Sequence, residues 1–178
     1  MPGHVLHSGH RVMRAAVTLL AIALAGCATS SPQTAASTFV GEHLTGAARA
    51  AAAVKASEVE LAQLPSRPTR AQLERLVHGA GAGREETAAA GKWHTVVVSA
   101  ESSEEGGEEE DVPRAETQAT QGAAELATAM SALQTYARAP GASALARYRS
   151  ELATGREQWN EGISQLWHLA HTAHAPTV

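Results

Sequence analysis

The chain has little of what usually builds a large core or an oxidised scaffold: its 178 residues include one Cys, one Phe, two Tyr and three Trp, and aromatics make up 3%. One Cys cannot close an internal disulfide, so stability has to come from packing. Asp and Asn occur once each, at Asp111 and Asn160, while 39 residues are Ala and every other acidic residue is Glu. That composition favours helix over strand and excludes an all-β fold. Several catalytic signatures are missing as well. There is no Cys-x-x-Cys-His for covalent haem, no Gly-x-Ser-x-Gly elbow, and no Glu-x-x-His element for a di-iron bundle. Gly91-Lys92 is followed by Trp93, and Glu86 stands where a phosphate loop needs its first Gly. The only Asp lies in an acidic stretch, so an Asp-oriented Ser-His triad has nothing to build from, and the chain reads as non-enzymatic.

The most informative segment is the first. Arg11 and Arg14 precede an apolar run from Ala15 to Ala25, broken only by Thr18, and the run ends in Leu24-Ala25-Gly26-Cys27. A run of this length falls short of the roughly 20 residues needed to span a bilayer, and it matches the apolar region of an export signal. Leu24-Ala25-Gly26-Cys27 resembles the lipobox of bacterial lipoproteins. Small residues there let a peptidase grip the backbone, and only a thiol can accept the thioether-linked diacylglycerol. The chain as a whole resembles the small Ala-rich lipoproteins of high-GC bacteria, a group without a functionally characterised family. The resemblance implies removal of residues 1–26, diacylglycerol on Cys27, and a place on the extracytoplasmic face of a membrane. Starting at Met13 would leave a short signal, so Met1 is the expected start. Cleavage would leave 12 basic against 18 acidic residues, a net charge of −6, which argues against nucleic acid as a partner.

Behind the Cys, residues 27–38 read as a flexible tether rich in Ala, Thr, Ser, Pro and Gln. The expected domain is all-α, an antiparallel bundle of about four helices arranged as two hairpins. The first hairpin covers 39–98. Val40, Leu44, Ala47, Ala51, Val54 and Leu61 form the stripe of its first helix, and Pro65 and Pro68 end it. Thr69 and Gln72 make a capping box for the second helix, whose face begins Leu73, Leu76, Val77, Ala80. Gly79, Gly81 and Gly83 predict a kink or break, because each costs about 1 kcal/mol relative to Ala inside a helix. The helical pattern resumes through Ala89, Trp93, Val96 and Val97, although Thr95 to Val98 has local strand preference that only tertiary packing would override.

Residues 99–111 hold seven carboxylates around Gly106 and Gly107 and read as a disordered acidic loop. The second hairpin covers 112–175. Asp111 and Pro113 serve as cap and first-turn residues. Ala119, Leu126, Met130, Leu133 and Tyr136 or Ala137 form the third helix's face, and Pro140-Gly141 the turn. Leu145, Tyr148, Leu152, Trp159, Ile163, Leu166 and Ala170 line the fourth helix. Tyr136, Tyr148 and Trp159 are the bulky plugs of an otherwise small-residue core.

Two surfaces stand out. His168, His171 and His174 recur every third residue, so on a helix they step round by about 60° each and neighbouring pairs could share Zn or Cu. A solvated helix end beside the negative pole of the dipole accounts for the same residues. Arg147, Arg149 and Arg156, with Trp167 nearby, form the expected contact surface for an envelope protein or wall component, because Arg and Trp dominate binding hot spots. The first reading is a membrane-anchored, non-enzymatic interaction bundle. The second is a metal- or small-ligand-binding lipoprotein using the histidines.

Overall fold

The computed structural model describes residues 31–93 and 111–178, and the expected export signal, Cys27, the strand-prone stretch and the expected acidic loop up to residue 110 lie outside them. The described residues are all helical, without strands: α1 Pro32–Ala62, α2 Arg70–Ala90, α3 Asp111–Arg138 and α4 Ala142–Leu169. Successive helices pack side by side. Gly83 meets Met130, Gly91 meets Thr120 and Ala124, and Gly155 and Gly162 meet Leu126 and Ala119. These pairs run in opposite directions, and with α1 also touching α4 they close an up-down-up-down four-helix bundle.

Each helix buries a stripe with alternating spacings of four and three, the 3.5-residue repeat of coiled-coil packing. In α1 it passes through the buried Val40, Ala47, Ala50, Val54 and Ser57, with the half-buried His43 at the intervening position. The stripe takes His43 and leaves Leu44, expected inside, 46% exposed. His43 is held by aromatic packing: its ring stacks on Trp93 at 4.6 Å and meets Phe39 edge-on at 4.7 Å. In α3 the choice between Tyr136 and Ala137 goes to Ala137, with Tyr136 half-buried. Tyr148 and Trp159 are fully buried plugs, as expected.

The small residues determine how closely the axes approach. A Cβ at Gly122 would stand 2.3 Å from the backbone N of Trp159, one at Gly162 2.4 Å from the N of Ala119, and one at Gly155 2.7 Å from the N of Leu126. α3 and α4 are therefore in backbone contact, which only Gly permits at these positions. Gly79, Gly81 and Gly83 face side chains of neighbouring helices, not backbone. α2 is continuous through them, against the expected break, because they sit beneath Glu60, Gln134 and Met130, whose contacts offset the low helix propensity. Buried hydroxyls in this seam bond their own helix: Thr87 Oγ1 donates to the Gly83 carbonyl at 2.7 Å and Ser57 Oγ to that of Ala53 at 3.0 Å.

Helix ends differ from expectation at three places, and α2, whose pattern is expected to resume through Trp93, already stops at Ala90 with Gly91 as its cap. α1 starts at Pro32, within the expected tether, because Ser31 caps it by accepting from the Thr34 N–H at 3.3 Å and Pro32 fits the first turn. Ala36 and Phe39 then lie on the buried face. α4 stops at Leu169. His171, at φ 52°, is the left-handed residue of a Schellman motif in which the Thr172 N–H donates to the Trp167 carbonyl and the His171 N–H to that of His168. The tail then returns along α4. Trp159 Nε1 donates to the Pro176 carbonyl at 3.0 Å, and the Asn160 amide both accepts from the Val178 N–H at 2.7 Å and donates to its carbonyl at 3.0 Å.

Candidate functional site

Both turns at one pole of the bundle, 63–69 and 139–141, are rigid for local reasons. Thr69 and Gln72 close the expected capping box, with the Thr69 N–H donating to Gln72 Oε1 at 2.8 Å, and Pro65, Pro68 and Pro140 fix the chain between helices. Between these turns lies an open cavity of about 670 Å³. Leu61, Leu64, Pro65, Leu73, Leu145 and Leu152 supply its apolar wall, and Tyr136 and Tyr148 its aromatic one. Glu58 from α1 and Arg149 from α4 bring charge to it.

Tyr148, Leu152 and Arg156 follow one another at four-residue steps on α4. Arg156 Nη2 donates to Glu58 Oε1 at 2.5 Å, tying α4 to α1. Two donors at this junction have no partner among the described residues, Tyr148 Oη and Arg156 Nε, and both are buried. Burial, reinforced by the charge of Glu58 and opposed by Arg156 and Arg149, raises the pKa of Tyr148, so its phenol is a neutral donor at physiological pH. Leaving such a donor unpaired costs roughly 1–3 kcal/mol, a standing demand for an acceptor.

Other titrating groups lie elsewhere. Half-burial pushes Glu116 up from 4.5 to about 7, and its Oε1 has no partner. Burial, and then the hydrogen bond and charge of Glu151, raise Glu125. Burial lowers His43 against the opposing charge of Glu42.

The predicted contact residues separate. Arg147 is exposed and pairs with Glu151 at 3.7 Å, Arg149 is exposed at the cavity, and Arg156 is half-buried against Glu58. Trp167, expected on the flank of the core, is 1% exposed and part of it. A tryptophan two residues before the end of α4 is part of the core here, which helical spacing alone does not reveal. His168 is exposed in the last turn of α4, while His171 and His174 are exposed beyond it, each at positive φ. The helical spacing that would bring them together therefore ends at Leu169. Among the described residues no group of three His, Cys, Asp or Glu side chains converges as for a metal ion. Glu74 pairs with Arg70 at 2.8 Å and His78 is exposed, and Met130 fills the core under Gly83.

The cavity itself was not predicted from sequence. Its one readable signal is the coincidence of Pro-rich turns with large apolar residues at the ends of adjoining helices. No described helix is long and apolar enough to cross a membrane. No known protein family matches the chain, and no curated protein or solved structure is similar to it.

Proposed function

We propose that the protein is a lipid-anchored extracytoplasmic lipoprotein whose helical bundle is a non-enzymatic interaction module. Its partners on this reading are the membrane, through diacylglycerol on Cys27, and an envelope protein or wall component, with no nucleic acid. The observation that carries the reading is Leu24-Ala25-Gly26-Cys27 at the end of an apolar run preceded by Arg11 and Arg14. A bundle with backbone contact between α3 and α4 suits the role, since a rigid body presents its surface without a further ordering cost on binding. Arg147 and Arg149 on α4 are the exposed cations of the expected contact surface.

The test is a mass spectrum of the protein from its native membrane fraction beside a Cys27→Ser version. A mature N-terminus at Cys27 carrying diacylglycerol, lost in the variant, is the expected result. An unprocessed chain in the cytosol refutes the reading.

The second reading, a small-ligand-binding lipoprotein, is favoured by the cavity between the two turns and its unpartnered Tyr148 donor. It moves ligand binding from the histidines to the opposite pole of the bundle.

A further inference from the structure

The cavity at the turn pole defines a ligand by what it lacks and what surrounds it. Its size falls in the range of sites for drug-sized molecules, and most of its wall is Leu, Pro and Tyr. Among the residues that line it, Tyr148 carries a buried hydroxyl with no hydrogen-bond partner among the described residues. Its phenol is neutral at physiological pH and can donate, while the unpartnered Arg156 Nε lies two turns further along α4, outside the lining, where Arg156 pairs with Glu58. A ligand that completes this junction has to bring an acceptor.

Charge gives the sign of the head group. The charges acting on Tyr148 are one carboxylate, Glu58 from α1, and two guanidinium groups, Arg156 and Arg149 from α4. Arg156 is matched to Glu58, whereas Arg149 lines the cavity without a carboxylate within 4 Å among the described residues. Arg67, between the lining residues Ser66 and Pro68, and Arg138, two residues before Pro140, add cations to the same pole and are likewise without a carboxylate partner among the described residues. The excess is positive, so the acceptor should be an anion. Planar carboxylates match both a guanidinium fork and a phenol donor.

The chain's own lipid cannot fill the site. Ser31 and the cavity lie at opposite ends of α1, whose 31 residues span about 46 Å at 1.5 Å each. Four residues from Cys27 to Ser31 reach at most about 14 Å, and an acyl chain as long as one leaflet adds about 15 Å. The occupant comes from elsewhere, because the site lies at the far end of α1 from Ser31.

We propose that this cavity binds a small amphiphile with a carboxylate on an apolar body, held by Tyr148 and Arg149 at its head and by the leucine wall along its body. This deepens the ligand-binding reading and does not depend on the lipid anchor, which the Cys27 mass spectrum tests separately.

Isothermal titration of the purified protein with decanoate, decanol and decyltrimethylammonium, each below its micellar concentration, tests it. Saturable one-to-one binding of decanoate is expected, with decanol weaker and the cation weakest. Tyr148→Phe should weaken decanoate about tenfold while leaving the melting temperature of the free protein unchanged or higher, because it removes an unpaired buried hydroxyl. Arg149→Gln, an exposed change that cannot unfold the bundle, should weaken decanoate by a similar factor and narrow its advantage over decanol. Equal binding of all three probes, or decanoate binding indifferent to both substitutions, would overturn the proposal. So would no saturable heat with any probe, in which case the cavity holds water only.

Discussion

Replacing Gly122 by Ala separates backbone contact from helix propensity. In an exposed helix interior Gly→Ala stabilises by about 1 kcal/mol. At Gly122 the added Cβ would stand 2.3 Å from the Trp159 N, 2.7 Å from its Cα and 2.9 Å from the Gln158 carbonyl carbon, all backbone atoms of α4. No rotamer change relieves such contacts, so α3 and α4 must move apart by about 1 Å, loosening a seam that holds Leu126, Trp159 and Ile163 fully buried. Overpacking of this kind costs typically 1–3 kcal/mol and more when backbone has to shift, which leaves a net destabilisation of about 2–4 kcal/mol after the propensity gain. For a domain of this size that lowers the melting temperature by roughly 10 °C. Gly41 is the control: it is exposed within α1 and a Cβ there meets nothing within 4 Å, so Gly41→Ala should raise the melting temperature by a few degrees. Circular dichroism at 222 nm, by heating and by urea, measures both. If Gly122→Ala stabilises as Gly41→Ala does, the two helix backbones do not touch and the packing described here is wrong.

Three further outcomes follow from single sites. His171→Gly should stabilise by about 1 kcal/mol, because φ 52° carries a steric cost for any side chain and Gly is the residue the Schellman position favours; a fall in urea midpoint would count against that geometry. Glu116, raised from 4.5 to about 7, favours the neutral form when folded, so its contribution is intact below pH 4.5, is lost between 4.5 and 7, and stays lost above. The urea stability of Glu116→Gln minus that of wild type should therefore rise across that window by about 1 kcal/mol, an amount discounted for its partial exposure, and a flat difference profile would contradict the burial. Asn160→Ala removes both bonds to the Val178 backbone and should speed amide exchange at Val178 while lowering stability by about 1–2 kcal/mol; unchanged exchange would mean that the tail is held by other contacts.

Features that depend on neighbours in the chain were legible before the fold was known. The Thr69 and Gln72 capping box, the Pro65 and Pro68 stop and the Pro140-Gly141 turn act through covalent geometry and bonds spanning a few residues, so they placed three helix boundaries and the antiparallel α3–α4 pair. The start of α1 was equally local, in Ser31-Pro32, but a run of small polar residues resembles a tether unless its cap is recognised.

What tertiary structure decided was the meaning of residues whose local tendency is weak or misleading. Gly79 to Gly83 read as a break, and became contact points because neighbouring side chains fill the space a Cβ would take. His43 displaced Leu44 from the core stripe through a stack on Trp93, and Trp167 turned inward. The three C-terminal histidines parted where α4 stops, and the cavity beside Tyr148 arose from residues on four helices and two turns. Helices and turns follow from interactions within a few residues, whereas burial, backbone contact and an unpartnered donor depend on atoms brought together only when the bundle closes.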